Sequence, residues 1–124
     1  MYSIKKFSGT NKNVYLRGEV IMIYTPLTIK AMKFAYDVHQ GQTDSGGAPY
    51  IFHPFYVAEL VCREMPWETP VCVALLHDVV TNTEVTIEQI EEEFPRDIVQ
   101  AVALLLFCTL NEASFFRLNE AVVA

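Results

Sequence analysis

Apolar side chains recur at helical spacing from Thr25 onward. The first such segment follows Thr25-Pro26 and ends at His39, and a loop rich in glycine and proline separates it from the next. Pro54 fits the first turn of a second helix, where its missing N–H costs nothing. The apolar positions of the two segments are Leu27, Ala31, Phe34, Ala35 and Val38, then Phe55, Val57, Ala58, Leu60 and Val61. This spacing predicts two helices, each with one apolar face.

The third segment is apolar on nearly every side. Pro70 opens it, and the run Val71–Val80 carries no polar stripe. A helix that is hydrophobic all round is one that other elements surround. The pattern therefore predicts a central, buried helix, with His77 and Asp78 near its C-terminal end.

Two further helices follow. Thr86 with Gln89 three residues later forms a capping box, which predicts a fourth helix that ends near Phe94. Pro95 then leads into residues 98–107, again strongly apolar. The predicted fold is an all-α bundle of about five helices.

The bundle has a different segment at each end. Residues 1–21 are mixed polar and β-leaning without a clear period, so we expect residues 1–25 to form an N-terminal extension that the sequence leaves poorly defined. The helical domain spans 26–107, and 108–124 is an atypical C-terminal tail. Met22, close to the start of the helical pattern, is a hypothetical native start.

The chain is acidic, but unevenly so. Its formal net charge is −6 at pH 7, over a length of 124 residues that suits one domain. The first 25 residues carry a net +3, so the remaining residues carry −9. An acidic body is a poor surface for nucleic acid, because neutralising phosphates needs clustered Lys and Arg. We expect no nucleic-acid partner.

Cysteine usage and hydropathy indicate a compartment. Cys62, Cys72 and Cys108 form no CxxC pair and lie among apolar neighbours, which predicts buried free thiols. An odd count of cysteines suits a reducing cytosol, so we expect a cytoplasmic protein. The longest near-apolar run, 99–108, is too short to span a bilayer, which predicts no membrane partner.

The polar residues that stand out are His53 and, twenty-four residues on, the pair His77-Asp78. Imidazole and carboxylate ligands together suit Mn²⁺, Fe²⁺ or Zn²⁺. All three side chains fall at predicted helix ends, and a charged Asp78 after an apolar run needs a partner if it is to be buried. The pattern predicts a divalent-metal site.

The sequence motifs around these residues resemble those of the hydrolase domain of the RelA/SpoT family, across about residues 26–106. The matching words are Phe34-Ala35, His39-Gln40-Gly41-Gln42, Gly47-Ala48-Pro49-Tyr50-Ile51-Phe52-His53-Pro54, Val57-Ala58 and Val73-Ala74-Leu75-Leu76-His77-Asp78-Val79-Val80. The resemblance implies an HD-domain fold and removal of the 3′-pyrophosphate from (p)ppGpp, a guanine nucleotide of the stringent response. It also implies manganese as the metal, with His53, His77 and Asp78 as ligands.

This sequence departs from the family pattern at the catalytic positions. In the family a Glu-Asp pair follows the His-Asp pair after two residues and acts on the attacking water. Here those positions are Thr81 and Asn82, and neither side chain can act as a general base near neutral pH. We therefore expect an impaired or inactive enzyme.

The end of the chain departs as well. The family's fourth metal ligand, an Asp in a Lys-x-Ala-Asp-type helix, has no counterpart here. Glu112 and Glu120 are the carboxylates of the tail that are left to replace it. We therefore expect manganese to bind weakly or not at all, and a truncated or frameshifted gene product is one hypothesis for the missing helix.

The substrate-binding candidates are Tyr50 and His39. The ring of Tyr50 is either a stacking surface for a base or part of the core. Many relatives carry basic residues in the loop before it, whereas Thr43-Asp44-Ser45 offers none. The guanine nucleotide is therefore an expectation that rests on the resemblance.

Three functions stay open from the sequence. The first is an impaired HD-type phosphohydrolase. The second is a non-catalytic module that binds a nucleotide or a protein. The third is a structural helical bundle that forms a homo-oligomer and so covers its apolar face.

Overall fold

A computed structural model describes residues 2–6, 12–16 and 19–108 of the chain, with side chains from residue 22 onward. The N-terminal extension forms a three-stranded antiparallel sheet in the order β1-β2-β3. The strands are β1 (Tyr2–Lys6), β2 (Lys12–Leu16) and β3 (Glu19–Tyr24). The sequence indicated only a β-leaning composition here, so the hairpins are a finding of the structure.

The remainder of the described chain is helical, which confirms the predicted all-α domain of about five helices. The helices are α1 (Pro26–Val38), α2 (Phe52–Glu64), α3 (Glu68–Leu76), α4 (Val79–Asn82), α5 (Ile87–Glu93) and α6 (residues 96–108). The short α4 is an additional turn that the apolar pattern did not separate from α3. The boundaries proposed for the extension, the domain and the tail stay predictions, and residues 109–124 lie outside the described part.

A threonine capping box joins the sheet to the helices. The Thr25 side chain accepts from the backbone N–H of Thr28, and the Thr28 hydroxyl accepts from the backbone N–H of Thr25. The Thr28 hydroxyl is buried and donates to the carbonyl of Ile23 in β3, 3.1 Å away. Thr25 also donates to Glu68 at the start of α3, at 2.6 Å. These bonds satisfy the first turn of α1 and fix it against β3 and α3.

Helix α3 is the centre of the core, as the sequence predicted. Five of its nine residues are buried: Val71, Cys72, Ala74, Leu75 and Leu76. It packs against both α1 and α2. Full burial of a leucine side chain contributes roughly 1.5–3 kcal/mol, so apolar contact is a large part of what holds α3 to its neighbours.

The predicted extent of this helix is wrong at its C-terminal end. It ends at Leu76 rather than continuing to Val80, and His77 and Asp78 occupy the break before α4. The break leaves Asp78 outside the helix interior, where its carboxylate turns toward side chains of other elements. The apolar run continues across the break because Val79 is also fully buried.

The predicted capping box of α5 is confirmed. Thr86 and Gln89 exchange the expected bonds, and Phe94 is the C-cap. The ring of Phe94 meets Phe34 of α1 edge-on, with centroids 5.5 Å apart, and Lys30 lies 5.2 Å from the same ring. This contact packs the α5–α6 turn against α1.

The prediction for the cysteines holds at two of the three positions. Cys62 and Cys72 are buried free thiols, while Cys108, at the end of α6, is exposed. No helix of the described residues is both long enough and apolar enough to cross a bilayer.

Candidate metal centre

Two separate pieces of backbone, the start of α2 and the break between α3 and α4, bring His53, His77 and Asp78 together. His53 lies in the first turn of α2, His77 caps the C-terminal end of α3, and Asp78 precedes α4. Each residue offers one ligand atom, and these atoms all lie within 4.8 Å of one another. The structure therefore brings together the three residues that the sequence nominated.

The carboxylate of Asp78 is the centre of this cluster. Its Oδ2 lies 3.2 Å from Nε2 of His53 and 3.1 Å from Nε2 of His77. The hydroxyl of Tyr50 donates to the same oxygen at 2.6 Å. One oxygen atom thus faces two imidazoles and a phenol.

These contacts shift the pKa values of Asp78 and His77. Burial alone raises the pKa of Asp78, but hydrogen bonds from His77 and Tyr50 and the charges of His77 and His53 outweigh it, so the pKa is lowered to about 2. The hydrogen bond to Asp78 raises the pKa of His77 above its ordinary value of 6.5, against the opposing effect of burial. Asp78 is therefore ionised near neutral pH, as a metal ligand must be.

The orientation of His77 suits a ligand. Its Nδ1 faces the backbone carbonyl of Ala74, one turn back in α3. A carbonyl only accepts, so Nδ1 carries the proton. The protonated ring donates from Nε2 to Asp78, and the neutral ring has the lone pair of Nε2 available for a metal. The side chain of His53 is 49% exposed, which leaves the cluster open to solvent on that side.

The donor set fits a divalent metal ion. Ligand atoms about 2.0–2.2 Å from a tetrahedral metal lie roughly 3.4 Å from one another. The two Nε2–Oδ2 separations, 3.2 and 3.1 Å, are close to that value. Two imidazoles with one carboxylate suit Mn²⁺, Fe²⁺ or Zn²⁺, and three protein ligands leave positions for water or substrate.

The positions that carry acids in the resembling family lie beside this cluster on α4. Thr81 and Asn82 are both exposed. The hydroxyl of Thr81 donates to the backbone carbonyl of Asp78 at 3.3 Å, and the amide of Asn82 donates to the hydroxyl of Tyr50 at 2.7 Å. The two side chains are within reach of the centre but supply no carboxylate.

An open cavity of about 680 Å³ adjoins these two residues. Its lining comprises Val38, Gln42, Thr81, Asn82, Thr83, Glu84, Val85 and Gln89. This volume falls in the range of small-molecule sites. Neither Gln42 nor Glu84 was predicted from the sequence to belong to the site. Gln42 belonged to a matching motif, whereas Glu84 carried no local signal.

The two substrate-binding candidates differ in exposure. Tyr50 is partly exposed, and desolvation together with Asp78 raises the pKa of its phenol to about 12. His39 is only 2% exposed, its Nδ1 lies 2.8 Å from Oε1 of Gln42, and its ring centroid lies 5.0 Å from that of Tyr50. Its Nε2 has no hydrogen-bond partner among the residues that the structure describes. Substrate contact by either side chain stays a prediction.

The loop between α1 and α2 holds Tyr50 in place. Asp44 accepts from the backbone N–H groups of Gly46 and Ala48 at 2.8 and 3.0 Å, and the N–H of Tyr50 donates to the carbonyl of Gln42 at 2.9 Å. Gly47 has a φ of 86°, a conformation that disfavours a side chain. Asp44 therefore closes the loop locally.

Comparison with known proteins identifies a family. The sequence model described as "HD domain" matches residues 31–107. The chain is 43% identical over 96 residues to a guanosine-3′,5′-bis(diphosphate) 3′-pyrophosphohydrolase of Haemophilus influenzae, covering 73% of this chain and 14% of that protein. It is 38% identical over 91 residues to the bifunctional (p)ppGpp synthase/hydrolase SpoT of Escherichia coli K12, covering 68% of this chain and 13% of that protein.

A third similar protein is the probable guanosine-3′,5′-bis(diphosphate) 3′-pyrophosphohydrolase of Synechocystis, 41% identical over 76 residues, which are 61% of this chain and 10% of that protein. The chain thus spans only a small part of the length of these relatives. The resemblance to the RelA/SpoT-type HD domain inferred from the sequence is confirmed.

Proposed function

Since this chain belongs to the HD domain family, we propose that it is a metal-dependent phosphohydrolase-like protein of the (p)ppGpp 3′-pyrophosphohydrolase type, impaired in catalysis. One observation carries the proposal. The cluster of His53, His77 and Asp78 is assembled within 4.8 Å, while the adjacent positions Thr81 and Asn82 carry no carboxylate. Among the described residues, the centre has three ligands for a metal, and the two α4 positions beside them supply no base.

The metal proposed for the centre is Mn²⁺, held by His53, His77 and Asp78. When bound, such an ion polarises a phosphoryl oxygen and lowers the pKa of a bound water. The chain's own residues fix the ligand geometry through the bonds from His77 to Ala74 and from Tyr50 to Asp78. We propose weak, partial occupancy, because the described residues place only these three ligands together.

The tail is the remaining source of a fourth ligand. Glu112 and Glu120, nominated from the sequence, lie outside the described residues. Stoichiometric Mn²⁺ that survives a chelator would indicate that one of them, or another group, completes the site.

The proposed ligand is a guanine nucleotide that carries a 3′-pyrophosphate, the substrate named for the relatives in Haemophilus and Synechocystis. The cavity beside Thr81 and Asn82 is large enough for part of such a molecule. The exposed edge of Tyr50, with His39 behind it, is the proposed contact for the nucleotide. These assignments imply a role in the stringent response in the cytoplasm.

The impairment follows from the chemistry at two positions. General acid–base help typically contributes about 10²–10⁴ in rate, and it requires a group that gains or loses a proton near neutral pH. A threonine hydroxyl and an asparagine amide do neither. We therefore propose a hydrolysis rate at least about 10³-fold below that of an intact relative.

A second candidate function is a binding module without turnover. The observation that favours it is the polar lining of the cavity, where Oδ1 of Asn82 and Nε2 of Gln89 are left to hydrogen-bond a ligand after these side chains have bonded to Tyr50 and Thr86. The third hypothesis, a homo-oligomeric structural bundle, draws on Leu104 and Phe107 of α6, which are exposed. Light scattering of the full chain tests oligomerisation directly.

One set of measurements separates these functions. The full chain is titrated with Mn²⁺ by electron paramagnetic resonance, and pyrophosphate release from ppGpp is followed with and without saturating Mn²⁺. Metal binding with slow but detectable release supports the impaired enzyme. Turnover at the rate of an intact relative would overturn it. Nucleotide binding by calorimetry without any release selects the binding module.

A further inference from the structure

Tyr50 stands between a metal-ligand candidate and a residue that replaces a catalytic acid. Its hydroxyl donates to Oδ2 of Asp78 at 2.6 Å and accepts from the side-chain amide of Asn82 at 2.7 Å. A phenol has one proton to donate and a lone pair with which to accept. This hydroxyl therefore acts both as a donor, to Asp78, and as an acceptor, from Asn82.

The direction of these bonds follows from their chemistry. A carboxylate that ligates a metal is deprotonated, so Asp78 only accepts. The single proton of Tyr50 must then point at Asp78, which leaves the phenol oxygen to accept from Asn82. Asn82 meets that need only if its amide nitrogen, and not its carbonyl oxygen, faces Tyr50.

Asn82 is held in turn from the other side. Its backbone carbonyl accepts from Nε2 of Gln42 at 2.6 Å, and Oε1 of Gln42 lies 2.8 Å from Nδ1 of the buried His39. The amide oxygen of Gln42 only accepts, so Nδ1 of His39 carries the proton. A continuous set of bonds therefore runs from the buried end of α1 to Asp78.

We propose that Tyr50 is a positioning residue for the ligand Asp78, and that the amide of Asn82 orients the Tyr50 hydroxyl for this role. The inference rests on the metal centre of the proposed function and assigns Asn82 a task other than catalysis. The side chain of an aspartate at position 82 would have no N–H to donate to Tyr50. Two carboxylates would then compete for the one proton of Tyr50.

The test uses Mn²⁺ alone and the full-length chain, with affinity measured by electron paramagnetic resonance. Tyr50→Phe and Asn82→Ala are each expected to weaken Mn²⁺ binding by roughly 10–100-fold, the usual effect of losing a hydrogen bond to a ligand. Because Asn82 acts through Tyr50, the double variant is expected to be no weaker than Tyr50→Phe alone. Tyr56→Phe, which removes the hydroxyl of an exposed tyrosine in α2, is the matched control. Its Mn²⁺ affinity should equal that of the unmodified chain.

Additive losses in the double variant, or unchanged affinity in either single variant, would overturn the proposal. A separate readout decides the case in which the unmodified chain binds no Mn²⁺, which would overturn the metal centre itself. In the metal-free protein, the ¹³Cγ resonance of Asp78 should move in Tyr50→Phe and move the same way in Asn82→Ala. A resonance that responds to Tyr50→Phe and not to Asn82→Ala excludes the orienting role of the amide.

Discussion

The two sides of the candidate centre differ in how firmly the fold holds them. On the ligand side, His77 and Asp78 have side chains 23% and 18% exposed, and each bonds to a defined partner. On the α4 side, Thr81 and Asn82 are exposed at the rim of an open cavity. Two of the three proposed ligands are thus held at the edge of the core, and the side that would supply a base is at the surface.

The difference has a physical origin. Leu75, Leu76 and Val79, which flank the His77-Asp78 pair, are fully buried. Packing of these residues fixes the backbone of the pair whether or not the protein catalyses a reaction. An exposed residue of a four-residue helix contributes little to stability, so a change there costs the fold little. The centre can therefore lose a base and keep its ligand geometry.

The largest effect that this comparison predicts is on the core beneath the ligands. Leu76→Ala should lower the free energy of unfolding by about 2–5 kcal/mol, because it opens a cavity next to His77. Leu60→Ala on α2, at a side chain 42% exposed, should cost below about 1 kcal/mol. Urea unfolding followed by circular dichroism measures both. Equal losses in the two variants would mean that the ligand side is no more firmly packed than the surface.

Loss of the Asp78 carboxylate should have the second-largest effect, which is on metal binding. Asp78→Asn removes the charged ligand and should weaken Mn²⁺ binding more than about 100-fold, beyond the effect expected for a residue that only supports a ligand. Asp37→Asn, at an exposed position of α1, should leave the affinity unchanged. Titration of both variants with Mn²⁺ tests this. Retained binding in Asp78→Asn would show that the metal is held elsewhere.

Protonation of His77 should weaken metal binding as the pH falls. Its hydrogen bond to Asp78 raises the pKa of His77 above 6.5 despite burial, so protons compete for Nε2 at a higher pH than they would for a free imidazole. Below the folded-state pKa, each pH unit should lower Mn²⁺ affinity about tenfold for one competing proton. A titration series from about pH 5.5 to about pH 8.5 measures the slope.

In the metal-free protein, by contrast, the stability that His77 contributes should decrease as the pH rises. A folded-state pKa raised above 6.5 gives stability that is fully present below the unfolded value and is lost as the pH rises through the folded value. Thermal unfolding with and without Mn²⁺ across the same pH range compares the two. Parallel curves would contradict competition between proton and metal at His77.

The smallest effect should come from restoring acids to the exposed side. Thr81→Glu combined with Asn82→Asp should change (p)ppGpp hydrolysis by less than about tenfold, although a working base contributes about 10²–10⁴. The added aspartate also withdraws the amide that bonds to Tyr50. Pyrophosphate release at saturating Mn²⁺ is the measurement. Rescue by these two substitutions would show that the metal is already well held and that the base alone was missing.

Local patterns in the sequence were enough to predict most helices of this protein and its candidate metal ligands. The apolar run that became α3 predicted a buried central helix, and the capping box at Thr86 and Gln89 predicted where α5 begins. The His and Asp residues were nominated as ligands because imidazole and carboxylate stood out against an apolar background. Periodicity, caps and donor chemistry are local properties, so a single sequence contains them.

Other features depended on elements distant in the chain. The sequence did not show that the helix breaks at His77 and Asp78, that residues 2–6, 12–16 and 19–24 form a sheet, or that Tyr50 bonds to Asp78 across a separation of 28 residues. The link between Tyr50 and Asn82 spans 32 residues. Such contacts require the loop before α2 to lie at a particular distance from the segment around α4, which the whole core determines. The sequence thus determined which groups could bind a metal, and only the tertiary structure decided which oxygen they share, because that choice depends on the packing of helices against one another.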